Sequence, residues 1–490
     1  MNMVAFDLGG SGAKVVLGKY DVKSIELETI HRFEHSPCPI GDGLYWDIVN
    51  IYNNMVKGLK IAIKKTGDSI TSFGIDSFSN DFSFISKDGD LLSPVRSYRD
   101  KRTERYKKQI YAKMSPEKLY QLTGNQCANF NTLMQLGAMH EAGLDYVTKN
   151  AYKMLFIPDL LTYFLTKKPV SEYTISSVSQ MFSFKDNYWN KEILDTFGLS
   201  DTMFGTLVQP GTVAGRTTEQ VNALLGTKGF NVVSVCEHDT ASAFLASIGG
   251  KESAIISSGT WALVGIQTDK PIINEYGMKY NVANEGGYPG HHRILRNVMG
   301  TWILQEIRAY YREKGQDYSF AEMEKLAGES RPFAYLIDVD DPMFFEPGDM
   351  PEKVQNFCCR YYDSAPQTVG EIVRCVYESL AMKYRWSIEI LEHLTGKALS
   401  RINIIGGGSK DKLMCQLTAN ICGKPVLAGP AEATSYGNIL VQLIAAGEIK
   451  TIEEGLDLLR ASFTAQEYLP EKSSLWDEKY EMFKKLFHLN

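Results

Sequence analysis

The sequence predicts an α/β protein built from two related domains, and its length and an internal echo are the reasons. The chain has 490 residues, whereas a single hydrophobic core stops growing at roughly 250–300 residues. Residues 4–21 and 253–269 share one design, in which a turn rich in Gly, Ser or Thr separates two apolar runs. The pattern is typical of a β-hairpin, so we expect one hairpin in each domain, with the domains at 1–247 and 248–490. Chance similarity between two glycine hairpins is the competing explanation.

The composition is that of an ordinary globular protein, with 44% apolar and 22% charged residues. The net charge is −6 and no basic stretch stands out, which argues against a nucleic-acid partner. No run approaches the ~20 apolar residues that span a membrane, and the start lacks a basic, cleavable leader, so we expect a cytoplasmic protein. None of the eight cysteines forms a CxxC pair, which argues against a structural zinc site. A reducing compartment also argues against pairing Cys358 or Cys359 with Cys375.

The first hairpin has a glycine-rich turn, DLGGSGAK. Gly9, Gly10 and Gly12 allow the backbone to approach a ligand closely, and successive N–H groups with Ser11 and Lys14 suit phosphate oxygens. The turn is neither a Walker loop nor a GxGxxG motif that opens a helix. A plain tight hairpin explains the glycines equally well.

A charged cluster follows an apolar strand in residues 232–246. Glu237, His238 and Asp239 separate that strand from a helix of small and apolar residues that begins at Thr240. The carboxyl end of a strand that leads into a helix is where α/β sheets place ligand sites. Asp239 is therefore a candidate acceptor for the proton of a bound hydroxyl, with the helix N-terminus behind it. Simple capping of the helix by Asp239 or Thr240 is the alternative.

The segments between these features predict further elements of the first domain. Residues 44–66 have the periodicity of an amphipathic helix. Residues 71–86 predict strand, turn and strand, with Asp76 and Asp81 at the turn. These paired acids suit a metal–nucleotide complex or sugar hydroxyls, or they are turn-forming aspartates. Residues 104–185 are expected to be mostly helical.

The second half repeats the alternation of strands and helices. A strong helix is predicted over 367–395, ending at Gly396. Gly406, Gly407 and Gly408 form a strand-to-helix turn that admits a flat ligand or a phosphate, although a bare helix start would look the same. Residues 319–366 are expected to be irregular, either as a lid or as a surface insertion. The remaining predicted elements are a helix within 284–307, a strand and helix at 425–447, and amphipathic helices at 451–463 and 474–488.

Together these features indicate a phosphate-binding enzyme. Phosphoryl transfer needs phosphate cradles, a divalent metal and a base that aligns the attacking hydroxyl, and the chain offers a candidate for each. The GxSxG, HExxH and HRD/DFG motifs of other enzyme classes are absent from the sequence.

The order and spacing of these motifs over nearly the whole chain resemble the FGGY carbohydrate kinase family, within the wider actin/hexokinase-like superfamily. The motifs that carry the resemblance are DLGGSGAK, GIDSFSNDF, SYRDKRT, NTLMQL, IPDLLTYFLT, EYTISSVSQM, QPGTVAG, EHDTASA, SSGTWALVG, RNVMGTWILQE, GGGSKDKLMCQL and AGPAEATSYGN. The resemblance implies two domains of the ribonuclease H-like fold, each a mixed sheet flanked by helices, with ATP and sugar in the cleft between them.

The resemblance also assigns roles to residues. Asp239 matches the family's general base, which takes the proton from the ketose 1-hydroxyl as that oxygen attacks the γ-phosphate. Ser79, His238, Thr240 and Asn297 match positions that contact the sugar. Asp7 matches the acid near Mg²⁺, which would bridge the phosphates mostly through water. The positions that match nucleotide contacts are Gly10, Ser11, Gly12, Ala13, Lys14, Thr260, Gln305 and Gly407.

The expected reaction is ATP-dependent phosphorylation of a ketose at O1, with L-rhamnulose as the expected sugar and a monomer or homodimer as the expected assembly. Ser79-Asn80 departs from the usual pair at that position, which keeps L-fuculose and D-xylulose open as substrates. Lys14 stands where the family pattern usually has Arg, and Lys lacks the bidentate fork. A sugar sensor without catalysis and an actin-like polymer are the alternatives from other classes.

Overall fold

The computed structural model describes residues 1–489 and divides the chain into two compact units. Unit 1 comprises Met1–Ala246, Gln267–Ile294 and Ala433–Phe463. Unit 2 comprises Ser247–Ile266, Leu295–Glu432 and the residues from Thr464 onward. Each unit is therefore assembled from three stretches of chain. The single division between residues 247 and 248 stays a prediction.

The strands are numbered in chain order. They are β1 (Asn2–Leu8), β2 (Gly12–Tyr20), β3 (Ile25–Glu34), β4 (Cys38–Ile40), β5 (Gly43–Trp46), β6 (Ile70–Ser77), β7 (Phe82–Ile85), β8 (Val95–Arg96), β9 (Lys153–Phe156), β10 (Val170–Glu172), β11 (Phe182–Ser183), β12 (Tyr188–Trp189), β13 (Thr206–Val208), β14 (Thr212–Arg216), β15 (Asn231–Ser234), β16 (Ser253–Ser258), β17 (Trp261–Thr268), β18 (Ala283–Gly286), β19 (His292–Met299), β20 (Arg401–Ile405), β21 (Val426–Ala428) and β22 (Gln466–Tyr468).

The α-helices are numbered in the same way. They are α1 (Ile48–Thr66), α2 (Arg102–Lys113), α3 (Pro116–Thr123), α4 (Thr132–Glu141), α5 (Asp145–Asn150), α6 (Ile157–Thr166), α7 (Tyr173–Ser176), α8 (Lys191–Phe197), α9 (Glu219–Leu225), α10 (Asp239–Leu245), α11 (Glu275–Lys279), α12 (Trp302–Glu313), α13 (Phe320–Glu329), α14 (Met350–Cys358), α15 (Val369–Thr395), α16 (Lys412–Cys422), α17 (Ala433–Ala445), α18 (Ile452–Ser462) and α19 (Ser474–Leu486). Short 3₁₀ helices lie at Asp201–Met203, Pro342–Phe344 and Gly407–Lys410.

The main sheet of unit 1 has the order β14-β15-β6-β1-β2-β3. β1 and β2 form the predicted antiparallel hairpin, whereas β1 pairs in parallel with β6, and β6 with β15. A hydrophobic core lies between one face of this sheet and helices that include α1 and α6. A second cluster joins β15 to α10, α17 and α18. Because β1, β6 and β15 run in parallel, their carboxyl ends meet at one edge of the sheet.

The sheet in unit 2 repeats this design. Within it, β17, β16, β20, β21 and β22 are neighbours in that order. β16 and β17 are antiparallel, and β16 pairs in parallel with β20, which pairs in parallel with β21. The similarity between residues 4–21 and 253–269 therefore corresponds to a repeated structure. Each unit holds an antiparallel hairpin whose first strand also pairs in parallel with another strand of the sheet. The prediction of mixed sheets flanked by helices is confirmed.

The long predicted helix is present as α15. It begins with a capping box in which Thr368 and Glu371 exchange side-chain and backbone hydrogen bonds. It ends at Gly396, whose φ of 65° lies in the left-handed region that glycine adopts readily. The helices predicted near 451–463 and 474–488 are also present, as α18 and α19.

Two of the sequence-based expectations for secondary structure were wrong in part. The segment 319–366 is not irregular throughout, because α13 begins at a capping box of Ser319 and Glu322, and α14 begins at the N-cap Asp349. These short helices have polar outer faces, which made them look like loops. The helix expected within 284–307 begins only at Trp302, as α12, because residues 292–299 form the strand β19 and place Asn297 on it. The segment 104–185 is mostly helical, as expected, with α2–α7 and short strands such as β9 and β10.

All eight cysteines are free thiols in the structure. Within residues 1–489, every helix is too short or too polar to cross a lipid bilayer.

Candidate active site

Three aspartates lie at or just beyond the carboxyl ends of the parallel strands in unit 1. Asp7 on β1 is directly opposite Asp76 on β6 in the strand register. Asp239 is the first residue of α10, a few residues beyond β15. On the hairpin partner strand, Lys14 is opposite Asp7, and its Nζ lies 3.0 Å from Asp7 Oδ2. The sheet therefore gathers three carboxyls and one cation at one edge.

Asp239 has the features of a general base. Partial burial raises the pKa of Asp239, the neighbouring His238 opposes this effect, and the charge of Asp7 adds to it. Three contacts converge on Oδ1: the Thr240 N–H at 2.5 Å, the Thr240 hydroxyl at 3.1 Å and His238 Nε2 at 3.5 Å. No hydrogen bond from residues 1–489 engages Oδ2, which leaves that oxygen available to accept a proton from a ligand.

Asp76 is a different kind of acid. It is fully buried, and burial together with the charge of Asp7 raises the pKa of Asp76 well above its usual value. Its Oδ2 accepts a hydrogen bond from Asn438 Nδ2 at 2.6 Å. Asn438 in turn accepts from Gln442, which donates to the carbonyl oxygen of Val4. Helix α17 thus holds Asp76 in place through a buried polar chain, and Asp239 remains the better candidate for the base.

The carboxyls at Asp76 and Asp81 do not form the paired site that the sequence suggested as one possibility. Asp81 is buried, and its two oxygens accept hydrogen bonds from Trp46 Nε1, the Tyr98 N–H and Gln135 Nε2, at 2.6, 2.9 and 3.0 Å. With three donors supplied by the protein itself, Asp81 stabilises the surrounding loops.

The turn between β1 and β2 is tightly closed. The Gly9 N–H donates to the Gly12 carbonyl at 3.0 Å. A Cβ built on Gly10 would lie 2.9 Å from the Tyr98 hydroxyl and 3.4 Å from an Arg99 nitrogen. A larger residue at position 10 would displace the Tyr98 hydroxyl, and the guanidinium of Arg99 lies beside the predicted phosphate loop. This arrangement is compatible with an anion at the turn.

The other predicted members of this loop contribute in different ways. Ser11 is exposed, so its hydroxyl is open to solvent. Ala13 is buried in the core, which leaves only its backbone for a ligand. Lys14 is partly exposed and paired with Asp7, so its ammonium lies at the rim of the acidic edge.

His238, one of the predicted sugar-binding residues, is buried among charged partners. Its Nδ1 lies 3.1 Å from Arg293 Nη2 and 3.4 Å from Glu285 Oε2, and its Nε2 faces Asp239. Arg293 and Glu285 form an ion pair at 3.0 Å, and both are at least 95% buried. Burial alone would raise the pKa of Glu285, but the charge of Arg293 brings it below its usual value. A continuous series of contacts therefore runs from the Glu285–Arg293 ion pair through His238 to Asp239.

A second group of buried acids packs against residues 237–238, the segment that leads to Asp239. Glu172 accepts hydrogen bonds from the Thr174 hydroxyl at 2.7 Å and from the Glu237 N–H at 3.3 Å. The Thr174 hydroxyl accepts from the His238 N–H at 3.2 Å. Burial, followed by carboxylate repulsion, raises the pKa of Glu237 and of Asp159 well above the usual values. Glu172 thereby holds the backbone that leads to Asp239 through its bonds to Thr174 and to the Glu237 N–H.

The Ser79-Asn80 pair forms the turn between β6 and β7. Asn80 has φ of 74°, a left-handed conformation that Asn tolerates better than most residues. Its carbonyl accepts from the Thr132 hydroxyl at 2.9 Å, and its side chain donates to the Ser79 hydroxyl at 3.0 Å. Asn80 therefore serves the turn, while Ser79 is partly exposed and available to a ligand.

Unit 2 brings two glycine-rich turns together. A Cβ built on Gly408 would lie 2.0 Å from the Ser258 hydroxyl oxygen, and one on Gly406 would lie 3.0 Å from the Ser258 carbonyl. The turn that contains Thr260 thus packs against the Gly406–Gly408 turn. A Cβ on Gly407 would meet nothing within 4 Å, so this residue borders open space.

Gln305 and Asn297 lie in the same unit. Gln305 Nε2 donates to the Thr301 hydroxyl at 3.0 Å, and that hydroxyl donates to the Gly259 carbonyl at 2.8 Å. Gln305 is thereby tied to the turn that precedes Thr260. Asn297 Oδ1 is buried, and no partner within residues 1–489 satisfies it. Such an acceptor suits a ligand hydroxyl.

Metal ligands in the described part of the chain are sparse. Residues 1–489 contain no group of three or more His, Cys, Asp or Glu side chains placed to hold a metal ion. Asp7 already pairs with Lys14. This arrangement fits Mg²⁺ that is held by one carboxylate, water and phosphate oxygens, and it does not fit an all-protein cage.

The fold is that of known sugar kinases. The structure of xylulose kinase from Lactobacillus acidophilus matches with a TM-score of 0.82 at 16% identity, covering 100% of this chain and 96% of that chain. The structure of glycerol kinase from Plasmodium falciparum with ADP matches with a TM-score of 0.78 at 15% identity, covering 99% and 97%. At these identities the similarity establishes the fold alone.

Sequence comparison establishes the family. Residues 2–246 match the N-terminal domain, and residues 254–446 the C-terminal domain, of the FGGY family of carbohydrate kinases. The chain belongs to this family and is an ATP-dependent carbohydrate kinase. Its relatives include proteins named rhamnulokinase from Bacteroides thetaiotaomicron, 37% identical over 99% of both chains, and from Bacillus subtilis, 34% identical over 96% of both.

Sequence reasoning missed several residues that the structure brings to the site. Glu285 and Arg293 had a usable signal, since each is a charge within a segment that otherwise reads as a buried strand. Asn438 had none, because its partner Asp76 is separated from it by 362 positions. Glu172 had none either, because Glu237, whose N–H it accepts, is 65 positions away.

Proposed function

We propose that this protein transfers the γ-phosphoryl group of ATP to O1 of a ketose, and that the ketose is L-rhamnulose. The observation that carries the reaction type is the geometry of Asp239. Its Oδ1 is held by three contacts, whereas Oδ2 is free of hydrogen bonds from residues 1–489. The names of relatives at 34–37% identity support the choice of sugar.

Asp239 acts as the base in this proposal. The proton of the sugar O1 hydroxyl passes to Oδ2 while O1 forms a bond to the γ-phosphorus and the bond to the ADP oxygen breaks. A raised pKa makes Asp239 a stronger proton acceptor than an ordinary aspartate. His238, Thr240, Ser79 and Asn297 contact the sugar, and the buried acceptor Oδ1 of Asn297 supports that role.

The glycine turns and Lys14 contact the phosphates. Thr260, Gln305 and Gly407 line the nucleotide site, and the open space at Gly407 supports close approach of the adenosine. Mg²⁺, when bound, supplies charge neutralisation on the phosphate oxygens. Asp7 is the carboxylate that would hold it, directly or through water. The cytoplasmic location and the oligomeric state stay predictions.

Another ketose is the second candidate substrate. Structural relatives with the same fold are named xylulose kinases, and the Ser79-Asn80 turn differs from the expected pair. The test is release of ADP from Mg·ATP in the presence of L-rhamnulose, L-fuculose, L-ribulose or D-xylulose. The highest kcat/KM on L-rhamnulose supports the proposal, whereas preference for another ketose moves the assignment to that sugar.

Asp239→Asn tests the base. Because Asn keeps the shape and loses the basicity, we expect turnover to fall by about 10²–10⁴-fold with ATP affinity largely retained. Asp186→Asn is the control, since Asp186 bonds only the local Ser183. Near-wild-type turnover of Asp239→Asn would remove Asp239 from the reaction. ATP and sugar binding by the wild-type protein without ADP formation would instead indicate a sensor.

A further inference from the structure

We propose that Glu285 and Arg293 are positioning residues that hold His238 as the tautomer with its ring proton on Nε2, so that His238 donates a hydrogen bond beside the catalytic carboxylate. The inference rests on the proposed roles of His238 and Asp239 in sugar phosphorylation. It assigns a task to two buried charged residues that do not touch Asp239 themselves.

The ion pair is built into adjacent strands. Glu285 lies on β18 and Arg293 on β19, and Arg293 is 1% exposed. Arg293 Nε donates to the Gly286 carbonyl at 3.0 Å, and Nη2 lies 3.0 Å from Glu285 Oε2. A buried guanidinium is costly unless it is paired, and Glu285 supplies the compensating charge. Because both strands anchor the pair, Nη2 has a defined position.

The contact with His238 determines the tautomer. A guanidinium can only donate hydrogen bonds, so the Arg293 Nη2–H that points at His238 Nδ1 at 3.1 Å requires a lone pair on Nδ1. A neutral imidazole has one N–H, which must then lie on Nε2. Glu285 Oε2 is farther from Nδ1, at 3.4 Å, and lies at ion-pair distance from the same guanidinium without a hydrogen bond to it. The shorter, directed contact is the one from Arg293.

The backbone fixes the other end of the ring. The backbone N–H of His238 donates to the Thr174 hydroxyl at 3.2 Å. The backbone of His238 also forms an isolated parallel β-bridge with Ser77 at the end of β6. With the main chain and Nδ1 both held, Nε2 faces Asp239 Oδ1 at 3.5 Å. The Nε2–H is thereby placed to donate either to Oδ1 or to an oxygen of the sugar.

This placement orients the reacting hydroxyl. An oxygen that accepts the Nε2–H bond uses a lone pair for it, and its own proton is then directed to the adjacent acceptor. Beside His238 that acceptor is Asp239, whose Oδ2 is available. The wrong tautomer would present a lone pair at Nε2 and compete with Asp239 for the same proton. The ion pair therefore acts on catalysis through His238.

The first test is ¹⁵N NMR of the full-length protein labelled at the histidine ring nitrogens. The His238 signals are identified by their loss in His238→Gln. We expect the wild-type ring to show a protonated Nε2 and an unprotonated Nδ1, and Arg293→Met to show a mixture of tautomers or the reverse. A protonated Nδ1 in the wild-type protein would overturn the proposal, whether or not the protein phosphorylates a ketose.

The second test is steady-state kinetics on the variants. We expect Arg293→Met to lower kcat on the preferred ketose by about 10- to 100-fold, the range seen when partners that orient a histidine are removed, with the KM for ATP unchanged. Arg293→Lys keeps a donor and should recover part of the loss. Arg374→Met is the matched control, because Arg374 is also buried and paired with a glutamate, Glu378, but lies on α15.

The outcomes separate the two proposals. Thermal unfolding of each variant shows whether it is folded. Folded Arg293→Met with wild-type tautomer and wild-type kcat would refute the inference. If Arg293→Met does not fold, Arg293→Lys and the wild-type NMR spectrum decide. Absence of kinase activity in the wild-type protein would contradict the proposed function, while the tautomer measurement would still stand.

Discussion

The contact between α10 and α17 yields a prediction whose size follows from the structure. Gly437 on α17 faces α10, and a Cβ built on it would lie 1.9 Å from the Ser242 carbonyl oxygen and 2.6 Å from its carbon. Ordinary contact begins at 3.4 Å, so Gly437→Ala must push the helices apart by about 1.5 Å locally. Both neighbours are backbone atoms, which cannot rotate away.

The expected cost combines two opposing terms. Overpacking of this kind destabilises a core by about 1–3 kcal/mol or more, while replacing glycine by alanine inside a helix stabilises by about 1 kcal/mol. Because the clash is with backbone, we expect overpacking to dominate and the midpoint of thermal unfolding to fall by several degrees. α10 begins at Asp239 and α17 holds Asn438, so turnover should fall as well.

A matched control separates packing from helix propensity. Gly328 lies inside α13, and a Cβ built there meets nothing within 4 Å. Gly328→Ala should therefore leave turnover unchanged and raise the unfolding midpoint slightly. Differential scanning fluorimetry and the ADP-release assay measure both variants. Gly437→Ala that is as stable and as active as Gly328→Ala would refute the reasoning about the α10–α17 contact.

Three further predictions follow from the site. Since the pKa of Asp239 is raised by burial and only its ionised form accepts a proton, the acid limb of kcat/KM should lie above the range of an ordinary aspartate; a limb near pH 4 would contradict this. The buried acid Asp159 has a pKa well above its usual value, so its contribution to stability is complete below about pH 4 and is lost as the pH rises through the folded-state pKa. Asp159→Asn should accordingly shrink the difference in unfolding midpoint between pH 5 and pH 8, and an unchanged difference would count against it. Gly408→Ala would place a methyl 2.0 Å from the Ser258 hydroxyl oxygen, so we expect a higher KM for ATP with little change in the KM for the sugar; equal changes in both would argue for a general loss of structure.

Some elements could be predicted because their signals are local. Apolar runs on either side of a glycine turn predict the two hairpins. The apolar periodicity, the capping residues and Gly396 predict α15. Asp239 could be singled out because a charged cluster after an apolar strand is a positional signal. The helices α13 and α14 were missed since they are short and polar outside, so that little periodicity distinguishes them from loops.

The chemistry of the site depends on contacts between residues that are distant in the chain. Asp76 reads as a turn residue, yet β6 buries it against Asp7, and Asn438 reaches it from 362 positions away. The proton position on His238 depends on Arg293, 55 positions away. A local sequence pattern does not predict such distant partners, because a pKa or a tautomer depends on burial and on neighbouring charges in the folded protein.

The sequence alone determined the α/β class, the duplicated hairpin, the family and the candidate base. The tertiary structure decided which acids share the sheet edge with Asp239, which of its carboxyl oxygens residues 1–489 leave without a hydrogen bond, and which way the His238 ring points. The physical reason is that periodicity and turn chemistry act over a few residues, whereas protonation and orientation depend on three-dimensional neighbours.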